Sequence, residues 1–167
     1  SNGLGGDAFA LVWLKGESKP YGLNASGPAA ALADPQKLRQ AGHKEVPKHG
    51  WPAVNVPGAV GGWQALWQRF GRLPFAGLLE PAATYAEEGY AVSPVISRLW
   101  EKAFGSFSKL SGPEFAGWGP VFAPKGHAPQ AGEVWRSPDH AASLQQIAET
   151  GGEAFYRGRL AKEMDSF

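Results

Sequence analysis

The stretch "VPGAVGGWQALWQRFG", residues 56–71, marks the point at which the chain changes from an irregular to a helical pattern. Its large apolar residues recur at three- and four-residue steps, the spacing of one face of an α-helix; they are Val60, Trp63, Trp67 and Phe70. Gly71 then stands where a helix is expected to end. The stretch predicts an amphipathic helix that carries both tryptophans on its core side.

Helical patterns continue towards the C-terminus. In "LLEPAATYAEEG" (78–89), Pro81 is expected near a helix start and Gly89 at its end. The side chains predicted to face inward are Leu78, Leu79, Ala82 and Ala86.

Two later helices share a Ser-Pro beginning. Ser93 is the predicted N-cap of one helix, with Pro94 at its first position, and Ser137-Pro138 opens another that stops at Gly151. A last helix, or a pair of helices, is expected over residues 152–165.

The N-terminal part predicts a β-hairpin. "AFALVWL" (8–14) is apolar enough for a strand buried on both faces, and "YGLNAS" (21–26) is the expected return strand. Residues 29–41 favour a short helix, and the proline-containing stretch 43–57 predicts an extended connector.

Residues 105–135 are rich in Gly, Pro and aromatic residues, which predicts a long irregular loop. The aromatic side chains of residues 104–122 either form a lid over the core or bind a peptide; they are Phe104, Phe107, Phe115, Trp118 and Phe122. The whole is thus an α+β segment, with a β-hairpin in residues 1–28 and mainly helix in 29–167.

Composition limits the function. The chain has 167 residues, 43% of them hydrophobic, which is enough for an ordered domain with a core. A net charge of +1 gives no electrostatic reason to expect nucleic acid, and no apolar run is long enough to span a membrane. The absence of cysteine excludes disulfides, thiolate metal sites and a cysteine nucleophile, and leaves the cellular compartment open.

Catalytic patterns are also missing. The histidines have neither the spacing of a helical metal pair nor an adjacent acidic cluster, so we interpret them as solvated loop or cap residues; they are His43, His49, His127 and His140. Ser26 lacks the glycine two residues earlier that a nucleophile elbow requires. The residues alone predict no catalytic group and no metal site.

Three blocks, in order along the chain, resemble the large subunit of the gamma-glutamyltransferase family. "GLGGDAFALVW" (3–13) resembles its Gly-rich loop and first strand, and residues 56–93 resemble its signature helical region. "DHAASLQQIAETGGEAFYRGRLAKEM" (139–164) resembles a later stretch in which "AFYRG" follows a helix that ends at Gly.

The resemblance implies the fold of the N-terminal-nucleophile hydrolases, two sheets between helical layers, of which this chain is a mostly helical portion. It implies a precursor that cleaves itself and exposes an N-terminal Thr, whose hydroxyl attacks an amide while its amine takes the proton. Neither Thr84 nor Thr150 matches that motif. The expected partner is therefore a small subunit, or the remaining chain of the same precursor, and no cofactor is implied.

The resemblance also assigns a candidate substrate-binding residue. In the transferases an Arg-Glu pair ends the second hairpin strand, and the Arg binds the α-carboxylate of the gamma-glutamyl group. Alignment on Pro28 places Asn24 where that Arg stands and Ala25 where the Glu stands. Because an amide brings no charge, we expect gamma-glutamyl or glutaryl-type amides as substrates, the latter as in cephalosporin acylases.

Two alternatives stay open. Asn24 is equally suited to bond its own backbone before the turn, an ordinary role for Asn. The chain as a whole could instead be a non-catalytic helical peptide-binding module or an inactive relative of the enzymes.

Overall fold

A computed structural model describes residues 3–167, so the first two residues of the predicted 1–28 hairpin segment lie outside the described residues. The strands are β1 (Ala8–Val12), β2 (Tyr21–Ala25), β3 (Tyr90–Ala91) and β4 (Val134–Trp135). The helices are α1 (Pro35–Gln40), α2 (Ala59–Phe70), α3 (Phe75–Glu88), α4 (Pro94–Phe107), α5 (Trp118–Phe122), α6 (Pro138–Glu149), α7 (Glu153–Tyr156) and α8 (Arg159–Ser166). Short 3₁₀ turns occupy Trp51–Ala53 and Pro113–Phe115.

The chain divides into two compact units, residues 3–75 with 149–167 and residues 76–148. In the first unit, β1 and β2 form the predicted antiparallel hairpin, with Ala8 opposite Ala25 and Val12 opposite Tyr21. The hairpin packs on α2. The buried apolar residues of this unit are Leu4, Ala59, Val60, Phe75, Ala154, Phe155 and Leu160.

The prediction that β1 is buried on both faces is wrong for the described residues. Burial alternates along both strands, because α2 lies against one face of the hairpin. On the other face Phe9, Leu11 and Trp13 are 67%, 81% and 63% exposed. Strand β1 thus has apolar side chains on both faces, but α2 covers only one of these faces.

In the second unit, β3 and β4 pair antiparallel, with Tyr90 opposite Trp135. This small sheet was not predicted, because two-residue strands leave no periodicity to detect. The buried apolar residues are Ala83, Ala86, Val92, Ala123, Ala141, Leu144 and Ile147.

The predicted ends of the helices are largely confirmed. Ser93 accepts a hydrogen bond from Ile96 N at 3.3 Å, and Pro94 is the first residue of α4. Gly89 follows α3 with φ +92°, a conformation that glycine adopts without the steric penalty of a Cβ. The expected C-terminal pair is α7 and α8.

Helix α3 differs from its prediction. It begins at Phe75, so Pro81 lies inside it and not near its start. Phe75, Ala83 and Ala86 are buried, whereas Leu78 and Ala82 are exposed. Residues three and four apart share a face of a helix, so the buried stripe of α3 runs through Ala83 and Ala86, and of the predicted inward-facing residues only Ala86 is buried.

The predicted loop at 105–135 is wrong in part. Helix α4 continues to Phe107, α5 lies within the stretch, and β4 begins at Val134. The aromatic side chains account for this order, because Trp118 packs against Phe104, Phe107 and Phe122 with ring centroids 5.3–6.1 Å apart. These contacts favour a packing role for the aromatic residues.

Candidate substrate-binding site

The hairpin places Asn24 on its open face. Asn24 lies in β2 directly opposite Phe9, and Gly22 lies opposite Leu11. These four residues line a shallow depression together with Ala10 and Leu23. Its lining contains no charged side chain, so the Asn24 amide is the polar group of an otherwise apolar surface.

The amide oxygen of Asn24 is hydrogen-bonded within residues 3–167, whereas its amide nitrogen is not. Its Oδ1 accepts a hydrogen bond from Ser26 N at 3.0 Å, which is the turn contact considered as an alternative role. This bond fixes the amide orientation and leaves Nδ2 as a donor, because it makes no hydrogen bond within the described residues. The turn contact and a substrate contact therefore use different atoms and are compatible.

Gly58, the N-cap of α2, and Gly62 within α2 allow the hairpin to approach the helix closely. A Cβ on Gly62 would stand 2.8 Å from Ala25 Cβ and 3.3 Å from Ala8 Cβ. A Cβ on Gly58 would stand 2.1 Å from the Ala25 carbonyl oxygen, which has no room to yield. The residue next to Asn24 is thus seated directly on the helix backbone.

Tyr156 holds the start of α2. Its hydroxyl accepts a hydrogen bond from Gly61 N and donates one to Pro57 O, both at 2.8 Å. Because the N-cap residue Gly58 has no side chain, this hydroxyl satisfies one of the free N–H groups of the first turn. The "AFYRG" block therefore supplies the cap for the helix that supports the hairpin.

A polar contact holds the end of β2. Asn55 Nδ2 donates to Asp7 Oδ1 at 3.1 Å and to the carbonyl oxygen of Ser26. Val56 N donates to Pro28 O at 2.9 Å, so the chain after the hairpin is tied back to the connector. These bonds fix Ser26 and Pro28, and with Ser26 the turn to which the Asn24 amide is bonded.

Sequence reasoning missed Tyr156, Asn55 and the packing role of Gly58 and Gly62. Two signals were available for the glycines and the tyrosine. The first signal is the Gly61-Gly62 pair, because glycines inside a helical pattern lower helix stability and usually have a packing reason. The "AFYRG" block belonged to the family resemblance, but its partner is 95 residues away in the chain.

The threonines and histidines form no second site among the described residues. Thr84 lies exposed in α3, and the hydroxyl of Thr150 accepts a bond from Ala154 N at 3.0 Å. All four histidines are exposed, which agrees with the predicted solvated positions. Within residues 3–167 no group of three His, Asp or Glu side chains could hold a metal ion, and no helix is long and apolar enough to cross a membrane.

Comparisons with known proteins connect this geometry to a family. A family model described as gamma-glutamyltranspeptidase matches residues 1–167. The chain is 36% identical over 172 residues to oxamate amidohydrolase proenzyme of Klebsiella pneumoniae and 34% identical over 165 residues to glutathione hydrolase-like YwrD proenzyme of Bacillus subtilis. Each match covers 98% of this chain and 30% of the relative.

The crystal structure of cephalosporin acylase from Bacillus halodurans superposes with a TM-score of 0.91 at 46% identity, over 98% of this chain and 30% of that protein. The predicted fold class, a mostly helical α+β portion of an N-terminal-nucleophile hydrolase with a β-hairpin, is confirmed. The chain spans about a third of the length of these relatives.

Proposed function

The chain belongs to the gamma-glutamyltranspeptidase family, and from that membership we propose that it is part of the large subunit of an amide-cleaving acylase. The complete protein cleaves an amide-linked gamma-glutamyl or glutaryl-type acyl group and passes it to water or an amine. The observation that carries the proposal is Asn24, an uncharged donor on an apolar open strand face, at the position that the resemblance assigns to substrate recognition.

The reactive group lies outside this chain. The hydroxyl of an N-terminal Thr on the partner subunit attacks the amide carbonyl while the α-amine of that Thr takes its proton. An acyl–Thr ester forms as the C–N bond breaks, the α-amine passes the proton to the leaving amine, and water or a second amine then cleaves the ester. The open apolar face of the hairpin supports this division, because exposed Phe9, Leu11 and Trp13 require a cover. The described part of the hairpin also has unpaired outer edges, which further strands can extend.

The role of this chain is then to hold the acyl group. The Nδ2 of Asn24 donates to an oxygen at the far end of the acyl chain, while Phe9 and Leu11 contact its methylene groups. A glutaryl group carries the same terminal carboxylate as a gamma-glutamyl group but lacks its ammonium, and Ala25 stands where the resemblance places the Glu of the Arg-Glu pair, so this position offers the ammonium no negative charge. We therefore place a glutaryl-type acyl group above gamma-glutamyl as the preferred substrate.

Kinetics of the complete, mature protein test whether Asn24 contacts the acyl group. Both acyl groups carry a terminal carboxylate, so in Asn24→Arg a gained charge-assisted hydrogen bond, worth about 1.5–3 kcal/mol, should raise kcat/KM for glutaryl and gamma-glutamyl amides alike, roughly 10- to 150-fold. Asn24→Asp is the matched control, because it keeps an acceptor for Ser26 N and reverses the added charge. It should weaken both carboxylate-bearing substrates.

Two results separate the parts of the proposal. Unchanged kcat/KM for both acyl groups in both variants would show that Asn24 lies outside the acyl pocket. Determination of the N-termini of the mature protein tests the enzyme assignment separately. A single uncleaved chain with no Thr terminus would favour the non-catalytic peptide-binding alternative.

A further inference from the structure

Asn55, in the connector before α2, joins the two ends of the hairpin. Its Nδ2 carries two hydrogens and donates to two acceptors, Asp7 Oδ1 at 3.1 Å and the carbonyl oxygen of Ser26. Asp7 directly precedes β1, and Ser26 directly follows β2. One side chain therefore spans the open end of the hairpin, beyond its last paired residues, Ala8 and Ala25.

The backbone of Asn55 is itself held in place. It forms an isolated β-bridge with Ala29, and the next residue, Val56, donates its N–H to Pro28 O at 2.9 Å. Gly27, with φ +77°, lets the chain after β2 pass close to this connector, because a Cβ there would stand 1.8 Å from Val56 O. Asn55 therefore cannot move away from the end of β2 without breaking these backbone contacts.

The backbone of Ser26 connects Asn55 to Asn24. Its N–H donates to Asn24 Oδ1 at 3.0 Å, and its carbonyl oxygen accepts the bond from Asn55 Nδ2. The contact with Ser26 N is the one hydrogen bond that the Asn24 side chain makes within residues 3–167. The orientation of the exposed Asn24 amide thus depends on a residue whose own position Asn55 fixes.

The two acceptors around Asn55 require a neutral primary amide. The carboxylate of Asp7 and the carbonyl of Ser26 accept and do not donate, so they orient Nδ2 towards themselves. An Asp at position 55 would bring no donor and would place a second carboxylate beside Asp7. A Ser or Thr would bring one donor for two acceptors.

We propose that Asn55 is a positioning residue for substrate recognition, which fixes Ser26 so that the free Nδ2 of Asn24 is directed at the acyl group. This inference rests on the proposed function, in which Asn24 contacts that group. A donor held in place has less freedom to lose when the substrate binds. Because this contact is remote from the bond that breaks, loss of Asn55 should raise KM more than it lowers kcat.

A double-mutant cycle in the complete, mature protein tests the proposal, with kcat and KM measured for a glutaryl amide. Asn55→Ala should raise KM by about 10-fold or more when Asn24 is present, because the orienting contact is lost. It should change KM by less than about 2-fold in the Asn24→Ala background, where no donor remains to be positioned. Asn55→Thr, which keeps one donor, takes its place if Asn55→Ala does not fold.

The Asn24 side-chain amide gives a second readout that needs no substrate. Its resonance in the ¹⁵N-labelled mature protein is identified by its absence in Asn24→Ala, and in Asn55→Ala its order parameter should fall. Asp7→Asn, which keeps an oxygen acceptor for Asn55, should leave this resonance unchanged. Ser93→Ala removes the N-cap bond of α4 and is the control for a loss of stability elsewhere; it should leave both the resonance and KM unchanged.

Two results overturn the positioning role. One is an Asn24 amide whose order parameter does not change in Asn55→Ala. The other is an equal rise of KM in both backgrounds of the cycle, since such an effect does not pass through Asn24. Normal kinetics of Asn24→Ala alone would instead refute the acyl contact of the proposed function, and the inference with it.

Discussion

Gly62→Ala tests whether Gly62 is required for the hairpin to pack closely on α2. In an open helix position, replacing Gly by Ala stabilises the folded protein by about 1 kcal/mol. At Gly62 the new methyl would stand 2.8 Å from Ala25 Cβ and 3.3 Å from Ala8 Cβ. Carbon atoms in favourable contact lie roughly 3.5–4.0 Å apart, so the hairpin must move away by several tenths of an ångström or more.

The two effects have opposite signs, and their sizes decide the outcome. Overpacking by one methyl costs about 1–3 kcal/mol, which offsets or exceeds the helix gain, so Gly62→Ala is expected to be destabilising by about 0–2 kcal/mol. Gly105 in α4 is the matched control, because it is exposed and a Cβ there meets nothing within 4 Å. Gly105→Ala should be stabilising by up to about 1 kcal/mol.

Chemical denaturation of the complete protein, with both variants in parallel, measures the difference in the free energy of unfolding. We expect the two variants to differ by about 1–3 kcal/mol, with Gly62→Ala the less stable. Equal stabilisation of both would refute the close-approach argument. A loss of kcat/KM confined to Gly62→Ala would further support the position of Asn24 in the site, whereas normal kinetics in a destabilised variant would leave only the packing role.

Two further outcomes follow from other contacts. Tyr156→Phe should raise amide hydrogen exchange at Gly61 roughly 5- to 150-fold, because loss of the cap leaves a partly buried N–H unsatisfied at a cost of about 1–3 kcal/mol; exposed Tyr85→Phe is the control, and equal exchange in both would contradict the capping role. Glu133 forms a salt bridge with Lys125 and accepts a hydrogen bond from Gln130 N, and both contacts lower its pKa. They should be complete above pH 4.5 and lost as the pH falls through the lower folded-state pKa. The chemical shift of Gln130 N–H follows this loss, and a shift that changes above pH 4.5 would contradict the assignment.

The elements that the sequence predicted well are those governed by local signals. Ser93 and Pro94 mark the start of α4 by hydrogen bonding and restricted backbone geometry within four residues. Gly89 marks the end of α3 through a backbone conformation that favours glycine. The errors arise where tertiary contacts decide. The pairing of Tyr90 with Trp135 joins residues 45 apart in the chain, and the ring of Phe75, the first residue of α3, packs on Trp67 of the preceding helix.

The candidate site shows the same division between local and distant information. The assignment of position 24 rests on alignment on a nearby proline and stays a prediction, whereas its Ser26 contact is local and was expected from the sequence. The support beneath it was not, because Tyr156 reaches the start of α2 from 99 residues beyond Pro57. An Asn at this position has two donors and one acceptor oxygen, and the turn uses only the acceptor. An Arg has no acceptor and could not make the same bond to Ser26 N. Asn24 therefore lacks the positive charge of an Arg at this position and also fixes the turn through its bond to Ser26 N. We expect this one residue to affect both the substrate preference and the rigidity of the end of β2.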